Sequence, residues 1–206
     1  MAYGGIYDQI GGGFARYSTD GYWKVPHFEK MLYDNAQLIS LYSEAYQLTK
    51  NNIYKQVIYE TLEFIQREMT SPDGGFYSAL DADSEGKEGK YYVWTKEHLT
   101  QILPGRPAGL SAGEDVELFC DYFNVNESGL WENGNYILIR KKSDNEIAEK
   151  NNLSEEELQQ KISVLKRKAL SEREKRIKPG LDNKILTSWN ALMIRGYADA
   201  YAVFHE

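Results

Sequence analysis

The fold depends most on residues 11–35, GGGFARYSTDGYWKVPHFEKMLYDN, which run directly into an amphipathic helix. They combine a glycine run, aromatic rings and charged side chains around one histidine, His27. A segment that served only as core would carry fewer charges, and a segment that was only solvated would carry fewer rings. Aromatic faces beside hydrogen-bonding and titratable groups are typical of a pocket for a sugar or another polar ligand. The stretch therefore predicts a long loop over residues 1–27 that borders a ligand site at the start of a helix.

Two helices with apolar stripes are predicted to follow this loop. The first begins near Phe28, and the second is ended by residues 71–75, SPDGG. Because only Asn51 and Asn52 separate the two, the helices must be antiparallel neighbours that form an αα-hairpin. Their stripes, at spacings of three and four, are Leu32, Asn35, Ile39, Tyr42 and Tyr46 in the first helix and Tyr54, Ile58, Leu62, Ile65 and Met69 in the second.

Two small β-hairpins are predicted further along the chain. The first joins Phe76–Leu80 to Tyr91–Trp94 through a charged loop, and the apolar ends with a polar middle indicate paired strands. The second lies within residues 130–140 and turns near Asn133-Gly134.

Four further helices are predicted after residue 94. Two are short, at residues 95–103 and 113–123, and a Pro/Gly linker separates them. Ser154 and Glu157 form a capping box at the start of a long charged helix that Pro179-Gly180 would end. The final helix has one apolar face, which consists of Trp189, Met193, Tyr197, Ala200 and Phe204. The predicted fold class is therefore mainly α, with small β-hairpin insertions.

Composition excludes several classes of partner. The 206 residues carry a net charge of −7, which argues against a nucleic-acid partner because phosphate binding needs clustered Lys and Arg. The single cysteine, Cys120, excludes an intrachain disulfide and fits a reducing compartment. No apolar run approaches the roughly 20 residues that a membrane span requires. We therefore expect a cytoplasmic protein without a membrane partner.

Two further features have a plain structural explanation. Gly11–Gly13 lacks the following Lys-Ser/Thr of a phosphate-binding loop, and no strand precedes it, which favours close backbone packing or a mobile rim. Cys120 follows Leu118-Phe119 in an apolar setting, and we predict that its thiol is buried and inert.

The loop over residues 81–90 resembles the beginning of an EF-hand. Asp81, Asp83, Glu85 and Gly86 take its first, third, fifth and sixth positions. The twelfth position is Tyr92 instead of a bidentate glutamate, so we expect no metal ion. Two interpretations remain: a solvated hairpin tip, or carboxylates that reach over a ligand cleft.

His27 is the histidine with the most polar surroundings. A lone histidine is often structural, but Glu29 and Asp34 are close in sequence, and a carboxylate can orient an imidazole ring for proton transfer. Residues 182–190, DNKILTSWN, repeat the arrangement of a polar and aromatic loop that runs into a helix. Two such loops would line the same end of a helical barrel.

Three long segments carry a family resemblance. They are GGIYDQIGGGFARYSTDGYWKVPHFEKMLYDNAQL at residues 4–38, DGGFYSALDADSEGKEGKYYVW at 73–94 and LDNKILTSWNALMIRGYADAY at 181–201. Together they resemble the YyaL family of thioredoxin-domain-containing proteins, which includes the spermatogenesis-associated homologues. The resemblance implies an (α/α)6 toroid of the six-hairpin glycosidase type, similar to that of N-acylglucosamine 2-epimerase. Residues 1–206 would then form a single domain that covers about half of the ring, without the thioredoxin-like domain of the family.

The function predicted from these observations is the binding of a sugar or sugar derivative in a central cavity, with epimerisation or hydrolysis by His/carboxylate acid–base chemistry. No cofactor is expected. The alternative is a non-catalytic scaffold or interaction module that self-associates through the exposed half-ring. The predicted catalytic residues are His27, Glu29, Asp34 and Asp83, and the predicted substrate-binding residues are Arg16, Tyr17, Trp23, Tyr33, Asp81, Lys90, Trp94, Trp189 and Asn190.

Overall fold

The computed structural model describes residues 1–103 and 112–205, and these residues form a mainly helical fold. The helices are α1 (Leu32–Thr49), α2 (Asn52–Glu68), α3 (Lys96–Ile102), α4 (Ala112–Tyr122), α5 (Asp144–Lys150), α6 (Glu155–Arg173) and α7 (Thr187–Phe204). The strands are β1 (Tyr17–Ser18), β2 (Pro26–His27), β3 (Lys30–Met31), β4 (Ala79–Leu80), β5 (Asp83–Ser84), β6 (Lys87–Glu88), β7 (Trp94–Thr95), β8 (Asn135–Tyr136) and β9 (Leu181–Asp182). The predicted mainly α class with small β-hairpin insertions is confirmed. None of the helices in these ranges is both long and apolar enough to cross a membrane.

The predicted αα-hairpin is formed by α1 and α2. The Asn51 side chain caps α2 by accepting a hydrogen bond from the Ile53 N–H at 3.1 Å, and Lys50 takes the left-handed conformation that ends α1. The stripes predicted for the two helices face the core they share with α7. The fully buried members of this core include Leu32, Ala36, Ile39, Ile58, Ile65 and Met193.

The helices α1 and α7 pack side by side and run in the same direction. Tyr33 meets Trp189 at their starts, and Tyr46 meets Phe204 at their ends. Gly196 lets the two backbones approach, because a Cβ there would lie 2.9 Å from the Ala36 carbonyl oxygen. Parallel helices in one layer, with α2 antiparallel to α1, are the arrangement expected for an arc of an (α/α) toroid.

A second core surrounds α6, which packs against α3, α4 and α5. The predicted capping box of Ser154 and Glu157 is present, but α6 ends at Arg173 instead of at Pro179-Gly180. The prediction missed α5, although Ser143 and Glu146 form the same kind of capping box. The Cys120 thiol is half-buried against this core, and burial raises its pKa. The predicted linker at 104–111 lies outside the described residues.

The predicted pairing of Phe76–Leu80 with Tyr91–Trp94 is wrong. The strand β4 pairs with β3 and β9, whereas β7 pairs with β8. Only the tip of the predicted hairpin, β5 with β6, is a hairpin, and Glu85 and Gly86 form its turn with positive φ. Strands of two residues carry no alternation that could specify a partner, so tertiary packing decided the pairing.

The predicted start of the first helix near Phe28 is also wrong. Pro26–His27 and Lys30–Met31 are strands, and β1–β2 forms a small hairpin before β3 joins the sheet. The Phe28 ring packs into a third small core with Val93 and Ile137, stacked on Tyr92. This burial holds the segment extended until Leu32.

The three-stranded sheet β3–β4–β9 joins the three sequence segments that carry the resemblance. Lys30 lies opposite Leu80, and Ala79 lies opposite Asp182. The sheet therefore brings the loops that precede α1 and α7 to one end of these helices, as expected.

The glycine run packs against α2, as one of its two interpretations predicted. Gly12 and Gly13 have φ of +74° and +80°, and a Cβ on either would overlap the Glu60 carbonyl or the Phe64 ring. The run is therefore part of the packed structure.

Candidate functional site

His27 lies at the centre of a group of charged side chains at the end of the helices where the loops meet. Its ring stacks on that of Tyr17 with centroids 5.0 Å apart, since the two residues are opposite each other in β1 and β2. Its Nδ1 lies 2.7 Å from Glu88 Oε1, and its Nε2 lies 3.7 Å from Glu29 Oε2. The ring is thus held from both sides by carboxylates.

Arg16 adds a cation to this group. Its Nη1 donates to Glu29 Oε2 at 3.1 Å. Hydrogen bonds to Glu29 and to Tyr33 raise the pKa of the Arg16 guanidinium. Glu29 is therefore shared between Arg16 and His27.

Asp34, in the first turn of α1, has a different environment from the other carboxylates. Burial raises the pKa of its carboxyl to about 6, and the charge of Glu29 acts in the same direction while that of Arg16 opposes it. Its Oδ2 is buried and makes no hydrogen bond to any residue that the structure describes. A carboxyl of this kind can exchange a proton near neutral pH. We call Arg16, His27, Glu29, Asp34 and Glu88 the His27 cluster.

Three of the predicted aromatic residues, Tyr17, Tyr33 and Trp189, adjoin the His27 cluster. Tyr33 and Trp189 meet edge to face with centroids 4.8 Å apart. Tyr17 and Trp23 are exposed, and the Trp23 carbonyl accepts a hydrogen bond from the Ile6 N–H. The structure therefore gathers Arg16, Tyr17, His27, Glu29, Tyr33, Asp34 and Trp189 into one region.

Two predicted carboxylates lie beside this region without a direct contact to His27. Asp83 is exposed and lies opposite Glu88 in the β5–β6 hairpin. Asp81 is also exposed, and its N–H donates to the Gly180 carbonyl. The hairpin therefore places Glu88 against His27. Glu88 was not predicted from the sequence.

Three other predicted binding residues make their contacts away from the His27 cluster. Trp94 is 1% exposed and lies in the α6 core, with the Arg176 guanidinium 4.0 Å from its ring. Lys90 pairs with Glu85 at 2.7 Å on the far side of the hairpin. The Asn190 amide accepts from the Phe76 N–H and donates to the Phe76 carbonyl, which ties α7 to the segment after α2.

Sequence reasoning also missed a buried charge cluster beneath the site. We call Asp8, Lys30 and Arg173 the buried triad; Lys30 Nζ donates to Asp8 Oδ2 and Arg173 Nη1 to Asp8 Oδ1, each at 2.8 Å. Burial alone would raise the pKa of the Asp8 carboxyl, but Arg173 and Lys30 together hold it well below its usual range. Burial lowers the pKa of Lys30 to about 8 despite Asp8. The sequence did contain a signal that Arg173 is buried. The buried side of α6 includes Leu165 and Ala169, and Arg173 follows Ala169 by four residues on the same side.

The chain is similar to curated proteins over its whole length. It is 40% identical over 225 residues to spermatogenesis-associated protein 20 of Homo sapiens, covering 100% of this chain and 28% of that protein. It is 37% identical over 214 residues to the protein of the same name of Mus musculus, covering 96% of this chain and 27% of that protein. An uncharacterized protein of Caenorhabditis elegans is 39% identical over 224 residues, covering 100% of this chain and 30% of that protein.

No family model matches the chain. Among solved structures, a family 76 glycoside hydrolase from a bovine Bacteroides thetaiotaomicron strain aligns with 98% of this chain and 36% of its own, at 18% identity and a TM-score of 0.37. The chain spans less than a third of the length of the curated relatives. The resemblance expected from the three segments is confirmed: along its whole length, this chain is similar to one segment of spermatogenesis-associated protein 20.

Proposed function

We propose that the His27 cluster binds a sugar-like small molecule and exchanges protons with it. The observation that carries this proposal is Asp34, a carboxyl with a buried oxygen that lacks a hydrogen-bond partner among the described residues and a pKa raised to about 6. A buried polar atom without a partner is costly, and a ligand hydroxyl would satisfy it.

The neighbours of Asp34 supply the other groups that such a ligand needs. Arg16 and Glu29 offer a donor and an acceptor for hydroxyls. Tyr17, which stacks on His27, offers an exposed aromatic face, which suits the apolar face of a sugar ring. Sugar binding therefore accounts for both the charges and the rings.

Two groups of the cluster suit acid–base chemistry. Asp34 would give a proton to the ligand, and His27, oriented by Glu88 at 2.7 Å, would take one. Epimerisation and hydrolysis both require such a pair, and the proposal covers either reaction.

Calorimetric titration of the chain with neutral and N-acetylated mono- and disaccharides tests the proposal. We expect saturable binding of at least one sugar. Its affinity should rise between pH 7 and pH 5, because Asp34 gains in this range the proton that it would give to the ligand. Asp34→Asn should lose this pH dependence, whereas the exposed Asp73→Asn should retain it. Absence of saturable binding, or an unchanged pH profile in Asp34→Asn, would refute it.

A second candidate, a self-associating interaction module, is favoured by one face of α7. Ile194 and Tyr201 are 65% and 60% exposed, and Ala191 and Ala198 share their face. Exposed apolar stripes of this kind mark interaction surfaces. We propose a second copy of the chain as the partner. Sedimentation should show a dimer that Ile194→Glu abolishes and that Leu48→Glu, an exposed site on α1, leaves intact; a monomer at all concentrations would exclude it.

A further inference from the structure

A second cleft lies on the opposite side of the β5–β6 hairpin from His27. It has a volume of about 480 Å³ and is bordered by the hairpin, α3 and the segment that follows α6. This volume falls in the range of small-ligand sites. We call it the Arg176 cleft.

Arg176 is the fixed cation of this cleft. Its guanidinium lies over Trp94, and its Nη1 donates to the carbonyls of Tyr91 at 2.9 Å and Val93 at 2.8 Å. Its Nη2 lies 3.3 Å from His98 Nδ1. The carbonyls occupy both Nη1 hydrogens, so the donors that remain for a ligand are on Nη2 and Nε.

Among the described residues, no carboxylate forms an ion pair with this cation. Burial lowers the pKa of Arg176 to about 10, and the charge of Arg173 adds to the effect, while the charge of Glu172 opposes it. The nearby Glu172 pairs with Lys175 at 2.5 Å and lies 3.9 Å from His98. In the ranges that the structure describes, Arg176 forms no carboxylate ion pair, and a half-buried cation of this kind is stabilised by an anion.

Two exposed lysines border the same cleft. Lys90 pairs with Glu85, and Lys175 pairs with Glu172, in pairs that are largely exposed. Exposed pairs contribute only about 0–1 kcal/mol, so an incoming anion can compete for both lysines. The side chains that line the cleft include three cations, Arg176, Lys90 and Lys175, and one carboxylate, Glu85. The cleft is therefore locally positive, although the whole chain has a net charge of −7.

We propose that the Arg176 cleft binds a small oxyanion, the phosphate or carboxylate group of a small molecule. Arg176 holds the oxyanion through its free edge, His98 contacts it, and Lys90 and Lys175 close over it. Planar, multidentate donors such as the guanidinium match oxyanion geometry. This inference is independent of the sugar proposed for the His27 cluster.

Calorimetry at pH 7 with inorganic phosphate and, separately, with acetate tests the proposal. Sodium chloride at equal ionic strength removes general salt effects. We expect saturable binding of at least one of the two anions in the millimolar range, and the stronger binder identifies the preferred oxyanion.

Variants locate the binding. The double variant Lys90→Ala/Lys175→Ala, which leaves Arg176 packed on Trp94, should weaken binding at least fivefold. Lys184→Ala removes an exposed lysine that pairs with Asp182 outside the cleft, and it should have no effect. No binding beyond the chloride control, or equal binding by the double variant, would overturn the proposal.

Discussion

The buried triad and the His27 cluster use the same kinds of side chain for different ends. In the triad, the side chains of Asp8, Lys30 and Arg173 are at most 9% exposed, and Asp8 accepts from both cations. In the His27 cluster, the charges are partly exposed, and one Asp34 oxygen lacks a partner among the described residues. A carboxylate with both oxygens bonded to cations stabilises a structure, whereas a carboxyl oxygen without a partner is available to a ligand.

The triad also explains how the site is supported. Lys30 donates to the Gly12 carbonyl, and Arg67 donates to the Gly11 carbonyl, so the glycine run is fixed from two sides. Lys30 belongs to β3, directly before α1 and close to Glu29. The triad therefore holds the loop that carries Arg16 and His27 against the helices.

The largest expected effect is that of Asp8→Asn. It leaves Lys30 and Arg173 buried without their counterion, which costs about 3–5 kcal/mol of unfolding free energy. Urea denaturation measures the loss, and the exposed Asp73→Asn should change little. A loss below about 1 kcal/mol would mean that the triad contributes no more to the unfolding free energy than an ordinary surface ion pair does.

A smaller effect is expected for Asp34→Asn, and its sign depends on pH. The folded-state pKa of about 6 exceeds the ordinary value of 3.8, so ionised Asp34 destabilises the fold above pH 6, and this penalty disappears as the pH falls toward 4. Because the side chain is only half-buried, we expect Asp34→Asn to be about 1 kcal/mol more stable than the parent at pH 8, with no gain at pH 4. Unfolding titrations at both pH values measure this, and a pH-independent difference would contradict it.

The smallest effect is expected for Arg16→Gln. Its ion pair with Glu29 is exposed, and exposed pairs contribute little to stability. The melting temperature should stay close to that of the parent, while sugar affinity falls if the proposed function holds. A large loss of stability would mean that the His27 cluster, like the triad, is structural.

The sequence alone was sufficient wherever the signal is local. The apolar stripes of α1 and α2, the short turn between these helices and the capping box at Ser154 depend on residues close together in the sequence, and all are observed. The proximity of the loops before α1 and α7 also followed from sequence, because both precede helices of one layer.

Only the tertiary structure decided the strand pairs and the final membership of the site. Strands of two residues carry no register signal, so the pairing of β4 with β3 and β9 could not be derived. Glu88 reaches His27 from 61 positions away, and Arg176 buries Trp94, through contacts between distant segments. Periodicity in the sequence shows which face of a helix is buried. Only three-dimensional packing determines which charged side chains form pairs and which polar group stays available to a ligand.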